Sequence, residues 1–162
     1  MATKIPVRPR RVARASHSYA VVESLYNRQF VEPMADAATR EIQEIEPSAS
    51  IDRVHSPGAF EIPLISKTLL EGGKYHALLA LGVILNGETP HADLIARAVT
   101  DSLMRLSLEY GVPVIHEVLL LQNEEQARVR CLGQDLNRGL EAARAAVKSV
   151  QILEEVVSSC SH

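Results

Sequence analysis

Apolar residues fall along this chain in two rhythms: short, nearly continuous runs, and longer stretches in which they recur every third or fourth position. The first rhythm is that of strands covered on both faces, the second that of helices with one face against a core. The two alternate. SYAVVE (18–23) reads as a first strand, and residues 27 to about 46 as a first helix, with Pro33 tolerable only near its opening turns. EPSAS breaks the chain, and SIDRVHS (50–56) then alternates as a strand does. PGAFEIPLISKTLLEGG follows, with Pro63 early in a helix and Gly72 and Gly73 placed to end it. HALLALGVIL (76–85) is apolar almost throughout, which predicts a strand in the middle of the sheet. Residues 89–110 predict a long helix whose buried side carries Leu94, Ile95, Ala98, Val99 and Leu106. GVPVIHEVLLL (111–121) is a fourth strand, and two helices close the chain, 123 to about 130 and 137 to about 157. The second of these has Leu140, Ala143, Val147 and Val150 in one stripe. Successive βα units of this kind predict an α/β fold, a three-layer αβα sandwich around a four-stranded, mainly parallel sheet.

With 162 residues, 46% of them hydrophobic, the chain can fill one good core. One domain is therefore expected over 18–158, between a basic arm (1–17) and a short tail (159–162). A formal charge of -3 excludes a dedicated nucleic-acid binder, which needs a large basic face. Locally the balance differs: MATKIPVRPRRVAR holds Lys4, Arg8, Arg10, Arg11 and Arg14 with no acidic residue, as a solvated arm or one docked on a partner would. Behind those arginines there is no apolar signal segment, and no apolar run approaches the ~20 residues of a membrane span. A soluble, cytoplasmic chain with no membrane partner is the expectation. Cys131 and Cys160 lack metal-ligand spacing, so no metal site is predicted, and Cys131 is expected as a small buried residue.

In open α/β sheets ligands gather at the carboxyl ends of the strands, which singles out residues 25–27, 56–61, 86–91 and 121–123. None of these loops carries GxGxxG or GxxxxGK[ST], so nicotinamide and ATP enzymes are not indicated. GETPHADL (87–94) offers another route to an anion. Gly87 permits a tight turn, Thr89 and Pro90 read as N-cap and first helical residue, and the free N–H groups of that helix start face outward. His91 would lie in the first turn, where the positive end of the helix disfavours a second positive charge. Asp93 would raise its basicity through space, since residues two apart on a helix do not face each other. His91 is thus either a proton-transfer group or a polar residue at a helix start. In SPGAFEIP (56–63), Gly58 and Ala59 allow backbone to approach a ligand, Phe60 offers an aromatic surface, and Glu61 can accept hydrogen bonds; a core phenylalanine and an ordinary first-turn acid fit equally well. Tyr26 can stack on a planar ring or pack, and Arg130 can reach a phosphate or stay solvated.

PGAFEIP, ALGVILNGETPHADLI, GVPVI followed by NEEQA, and NRGLEAARAAV, in this order and spacing, resemble the lumazine synthase family over about residues 19–150. The resemblance implies a flavodoxin-like sheet and a transferase of riboflavin biosynthesis. Its reaction condenses 5-amino-6-ribitylaminouracil with 3,4-dihydroxy-2-butanone 4-phosphate to 6,7-dimethyl-8-ribityllumazine, releasing phosphate and water. It implies two small-molecule substrates, no metal or organic cofactor, and homo-oligomers of pentamers with sites at subunit interfaces. Residue by residue, it makes His91 the proton-transfer group and assigns Gly87, Glu88, Thr89 and Arg130 to the phosphate-bearing substrate. Gly58, Ala59, Phe60 and Glu61 would line the ribityl and pyrimidine pocket, Ile84 and Leu85 would lie beside the ring, and Tyr26 would stack on it, with Asn27 following. The departures are His116, where the family usually places an aromatic residue of the neighbouring subunit's pocket, and Arg138 in place of a common lysine. Arg138 and Asp93 are left as electrostatic support. Asn86 replaces an often basic residue, and Pro90, Ala92 and Leu94 replace more polar or aromatic ones. A protein that binds flavins or lumazines, or forms a shell, with little catalysis is the alternative.

Overall fold

The computed structural model describes residues 4–12, 16–87 and 89–160. Strand β1 (Ser18–Ser24) leads into helix α1 (Arg28–Ile45), β2 (Ser50–Ser56) into α2 (Ile62–Glu71), and β3 (Ala77–Leu85) into α3 (His91–Tyr110). Strand β4 (Val114–Leu121) is followed by α4 (Glu124–Cys131) and α5 (Arg138–Cys160). All pairings are parallel, in the order β2-β1-β3-β4. Alternation along each strand sorts the side chains between two layers. Tyr19 and Val21 of β1 pack with α1, α4 and α5 on one face, while Ala20 and Val22 pack with α2 and α3 on the other. The apolar run of β3 is buried from Ala77 through Ile84 because helices cover both of its faces. Full burial of leucines such as Leu79 and Leu81 contributes about 1.5–3 kcal/mol each. This is the α/β three-layer arrangement that the apolar rhythm predicts.

Two local expectations need correction. Helix α3 begins at His91 with Pro90 as its N-cap, later than a Thr89 cap would place it, and among the described residues no side chain caps it. Its buried side is Ala92, Val99, Leu103 and Leu106, whereas Leu94 and Ala98 face outward. The phase is set by Ala92, and Leu94 lies roughly 200° around the axis from it. Helix α3 then ends at Gly111 in the left-handed conformation (φ 63°), and Pro113, lacking an N–H, delays the start of β4 to Val114. No described helix is long and apolar enough to cross a membrane.

The described part of the basic arm lies on its own chain. Arg8 donates to Glu41 of α1 at 2.8 and 2.7 Å, and Arg144 of α5 donates to the same buried carboxylate at 2.7 Å and to the Pro6 carbonyl at 2.5 Å. Arg14 lies outside the described residues. At the amino-terminal end of the sheet, His17 Nδ1 lies 3.1 Å from the fully buried Glu46 carboxylate and its Nε2 lies 2.9 Å from Glu154 of α5. The Tyr19 hydroxyl donates to Glu46 at 2.8 Å.

Candidate functional site

Strand order reverses between β1 and β3: the chain leaves β1 toward α1 on one face and leaves β3 toward α3 on the other. That switch point opens a crevice at the carboxyl ends of the strands. A cavity of about 620 Å³ occupies it. Tyr26 and Asn27 come from the loop after β1, Gly58 to Glu61 from the loop after β2, Val83 to Leu85 from the end of β3, and Gly87, Thr89 and His91 from the turn into α3. Ala92 and Ile95 complete the wall. The structure therefore brings together three of the four loops that the sequence singles out, and most of the site residues named from it. Loop 121–123 is not part of the wall; it braces the third loop, with Asn86 N–H donating to the Leu121 carbonyl at 2.7 Å and Asn86 Nδ2 to Gln122 Oε1 at 3.1 Å.

Each loop has a local cause for its shape. Asn27 adopts the left-handed conformation (φ 57°), which asparagine tolerates better than most residues, and its Nδ2 donates to the Val83 carbonyl at 2.8 Å instead of capping α1. Tyr26 is thereby pushed into the open, 72% exposed. Phe60 is 61% exposed, so the reading of it as a core residue does not hold. A Cβ added at Gly58 would stand 3.1 Å from Glu61 Oε2, so glycine leaves the room that this carboxylate needs. Gly87 plays a different part from the tight turn expected of it. Its backbone is not left-handed and a Cβ there would meet nothing, so it contributes open space at the mouth of the cleft. Glu88 lies outside the described residues.

His91 is exposed at the start of α3, and among the described residues no partner engages its ring. Asp93 is also exposed and is not paired with it. An unengaged imidazole beside the N–H groups of an uncapped helix start can exchange a proton with a ligand whose anionic group sits at that start. The wall is apolar and aromatic on the β1, β2 and β3 sides, with Glu61 as an acceptor, which suits a planar ring bearing N–H or hydroxyl groups.

His116, Arg130 and Arg138 do not line this cleft. His116 lies in a separate groove of about 390 Å³ between α3 and β4, beside Thr100, Leu103 and Met104. Its Nδ1 accepts from the Val118 N–H at 3.3 Å, and its Nε2 lies 2.7 Å from Thr100 Oγ1, whose own proton goes to the Ala96 carbonyl at 2.7 Å. Nε2 must therefore carry the hydrogen of a neutral ring, in keeping with burial, which holds its pKa below the ordinary value. On the opposite face of β4, Glu117 is buried near Arg130 of α4 and Arg138 of α5, the latter bound to Glu141. Burial pushes the Glu117 carboxyl up to about 7; Arg138 and Arg130 oppose the rise and Glu141 adds to it. Sequence reasoning passed over Glu117, although an acid inside the strand run VIHEVLLL is a visible signal.

Residues 16–154 match the model of a family described as 6,7-dimethyl-8-ribityllumazine synthase. Proteins of that name are among its relatives. One from Coxiella burnetii is 34% identical over 146 residues, covering 90% of this chain and 97% of that protein. One from Thermococcus kodakarensis is 43% identical over 106 residues, 65% of this chain and 67% of that protein. One from Deinococcus deserti is 33% identical over 142 residues, 87% of this chain and 91% of that protein.

Proposed function

The chain belongs to the 6,7-dimethyl-8-ribityllumazine synthase family, and from that premise we propose that it condenses 5-amino-6-ribitylaminouracil with 3,4-dihydroxy-2-butanone 4-phosphate in riboflavin biosynthesis. The observation that carries this reading is the cleft at the switch point, which joins an exposed tyrosine, the Phe60 and Glu61 loop and an uncapped helix start bearing His91. In this reading Tyr26 stacks on the pyrimidine, Ile84 and Leu85 flank it, and Phe60 and Glu61, with Gly58, Ala59 and Asn27, hold its ring and ribityl chain. The phosphate of the second substrate meets Gly87, Glu88 and Thr89 at the start of α3. The amine attacks the ketone and a Schiff base forms with loss of one water, phosphate leaves by elimination, and the ring closes with loss of a second water. His91 moves the protons, and the field of Asp93 supports it. Much of the acceleration comes from holding the two substrates together.

Among the described residues, those lining the cleft include no lysine or arginine, although a phosphate must be neutralised there. Arg130 and His116 are at hand on the β4 side of the chain, and in this reading a second copy presents them to the cleft, while Arg138, buried and bound to Glu141, lends electrostatic support from within its own chain. The protein is then a homo-oligomer of pentamers with its sites between subunits. A two-substrate turnover assay on the intact chain, with its assembled mass measured alongside, tests the proposal. The expected result is lumazine product above the uncatalysed rate, loss of turnover in His91→Ala with ligand binding kept, and in Arg130→Ala a KM defect mainly for the phosphate substrate. No product above the uncatalysed rate would defeat the synthase reading, and tight riboflavin binding in that case would favour a binding protein.

A further inference from the structure

Two buried serines close the carboxyl ends of β1 and β2 without lining the cleft. Ser24 and Ser56 are register partners in the β1–β2 ladder. Each turns its hydroxyl to the carbonyl two residues ahead, Ser24 to Tyr26 at 3.0 Å and Ser56 to Gly58 at 2.7 Å. Beyond them the ladder continues past the strand ends, with Leu25 N–H donating to the Ser56 carbonyl at 2.7 Å and Tyr26 N–H to the Pro57 carbonyl at 3.2 Å. The Tyr26 carbonyl thus points inward to Ser24 while its ring points out. The Gly58 carbonyl is held the same way just before Phe60.

We propose that Ser24 and Ser56 form a paired positioning device that sets the spacing and angle of the Tyr26 and Phe60 loops, and through them the grip on the planar pyrimidine substrate. The proposal rests on the assignment of the cleft given above. Neither hydroxyl touches the substrate. Each works by fixing a carbonyl, and hence the backbone of the one residue between, Leu25 or Pro57. Ser24 Oγ borders the space over Gly82, whose other walls are the apolar side chains of Val118 and Ile62. A hydroxyl buried in such surroundings holds its partner firmly, since an unmade bond there is not replaced by water. Two largely exposed rings, Tyr26 and Phe60, depend on this backbone for their place.

Ser24→Ala and Ser56→Ala, made separately in the full chain, test the device. The KM for 5-amino-6-ribitylaminouracil should rise about three- to tenfold, the cost of a lost buried hydrogen bond only partly expressed in binding. The KM for the phosphate substrate and kcat should stay within about twofold, because the start of α3 is untouched. In a Tyr26→Leu background the effect of Ser24→Ala should vanish, since the serine acts through that ring. Hydrogen exchange at the Leu25 and Tyr26 amides should speed up in both serine variants. Unchanged KM for the pyrimidine, equal defects for both substrates, or a full Ser24→Ala effect without the Tyr26 ring would each overturn the proposal. If Ser56→Ala does not fold, Ser24→Ala decides by the same criteria. A wild-type chain without turnover would defeat the synthase reading alone, and amide exchange would still decide whether the serines hold the loops.

Discussion

Replacing His17 with alanine should strip the amino-terminal end of the sheet of a pH-dependent clamp. The imidazole stands between two carboxylates, Glu46 at 3.1 Å and Glu154 at 2.9 Å, and both ring nitrogens can donate only when the ring is charged. Burial is the largest single influence and opposes that charge, yet the hydrogen bonds to Glu154 and Glu46 together carry the His17 pKa above its ordinary value. Glu154 is more than half exposed, so its share of the stability is small. Glu46 is fully buried, and in His17→Ala its carboxylate keeps only the Tyr19 hydroxyl among the described side chains. Breaking a buried pair from one side costs about 3–5 kcal/mol, and the lower end is expected here because Tyr19 remains. The pH window follows from the direction of the shift. A histidine raised in the folded state contributes its full stabilisation below its unfolded-state pKa of about 6.5 and loses it as pH rises through the folded-state value. His76, whose ring centroid is 4.9 Å from that of His17, accepts from the Ser18 N–H and does not compete for either carboxylate. Urea unfolding of both chains at one protein concentration, at about pH 6 and about pH 8.5, measures the gap directly. Taking the difference between chains cancels Glu117, which titrates near 7 in both. A gap that does not shrink at the higher pH, or that is under about 0.5 kcal/mol at the lower one, would refute the charged-clamp account.

Glu117→Gln should stabilise the protein near pH 8 by about 1–3 kcal/mol and leave it unchanged near pH 4. A carboxyl raised from 4.5 to about 7 on folding costs stability progressively across that interval and no more above it. An unfolding midpoint at pH 8 that does not move, or falls, would show that Arg130 and Arg138 compensate the charge after all. Burial pushes the Cys131 thiol up to about 12, whereas Cys160 is exposed, so a thiol reagent should label one cysteine of the native chain and both after unfolding. Rapid native labelling of Cys160→Ser would contradict the burial of Cys131.

The hydrophobic rhythm was enough to place every strand and helix within a few residues, because parallel strands covered on both faces leave long apolar runs such as ALLALGVIL. It misplaced Leu94 and Ala98 for a physical reason. An outward apolar face on α3 looks in sequence like an inward one, and only packing against Ile62, Leu70 and the sheet fixes the phase at Ala92. The cleft was legible because the strand-end rule collects loops irrespective of their detail. What stayed hidden were contacts made by backbone geometry. Nothing local in SLYNR announces that Asn27 will turn left-handed and tie itself to Val83, or that Ser24 and Ser56 will meet across a ladder. Gly87 shows the converse error: glycine in sequence invites a tight turn, and here it only keeps space open.

The division of the charged groups between two surfaces leads to a sharper expectation than loss of function in single variants. His91 and the anion-ready helix start lie on the cleft, while Arg130 is on α4, among helices that pack on the other face of the sheet from α3. If one copy supplies His91 and another supplies Arg130, the two defects lie in different halves of each site. Chains carrying His91→Ala and chains carrying Arg130→Ala, coexpressed with distinct tags and purified as mixed assemblies, should then complement. In a random assembly from equal amounts, about one quarter of the interfaces unite an intact His91 with an intact Arg130, since each half is drawn independently. With the phosphate substrate held well below the KM of Arg130→Ala, turnover should therefore recover to about a quarter of the wild-type value per site, from two parents each far below it. A site contained within one chain predicts the opposite, because every chain carries one lesion and mixing cannot repair it. Activity no greater than the average of the two parents, in assemblies shown to contain both tags, would return Arg130 to its own chain's surface and leave the phosphate to the backbone of the α3 start alone.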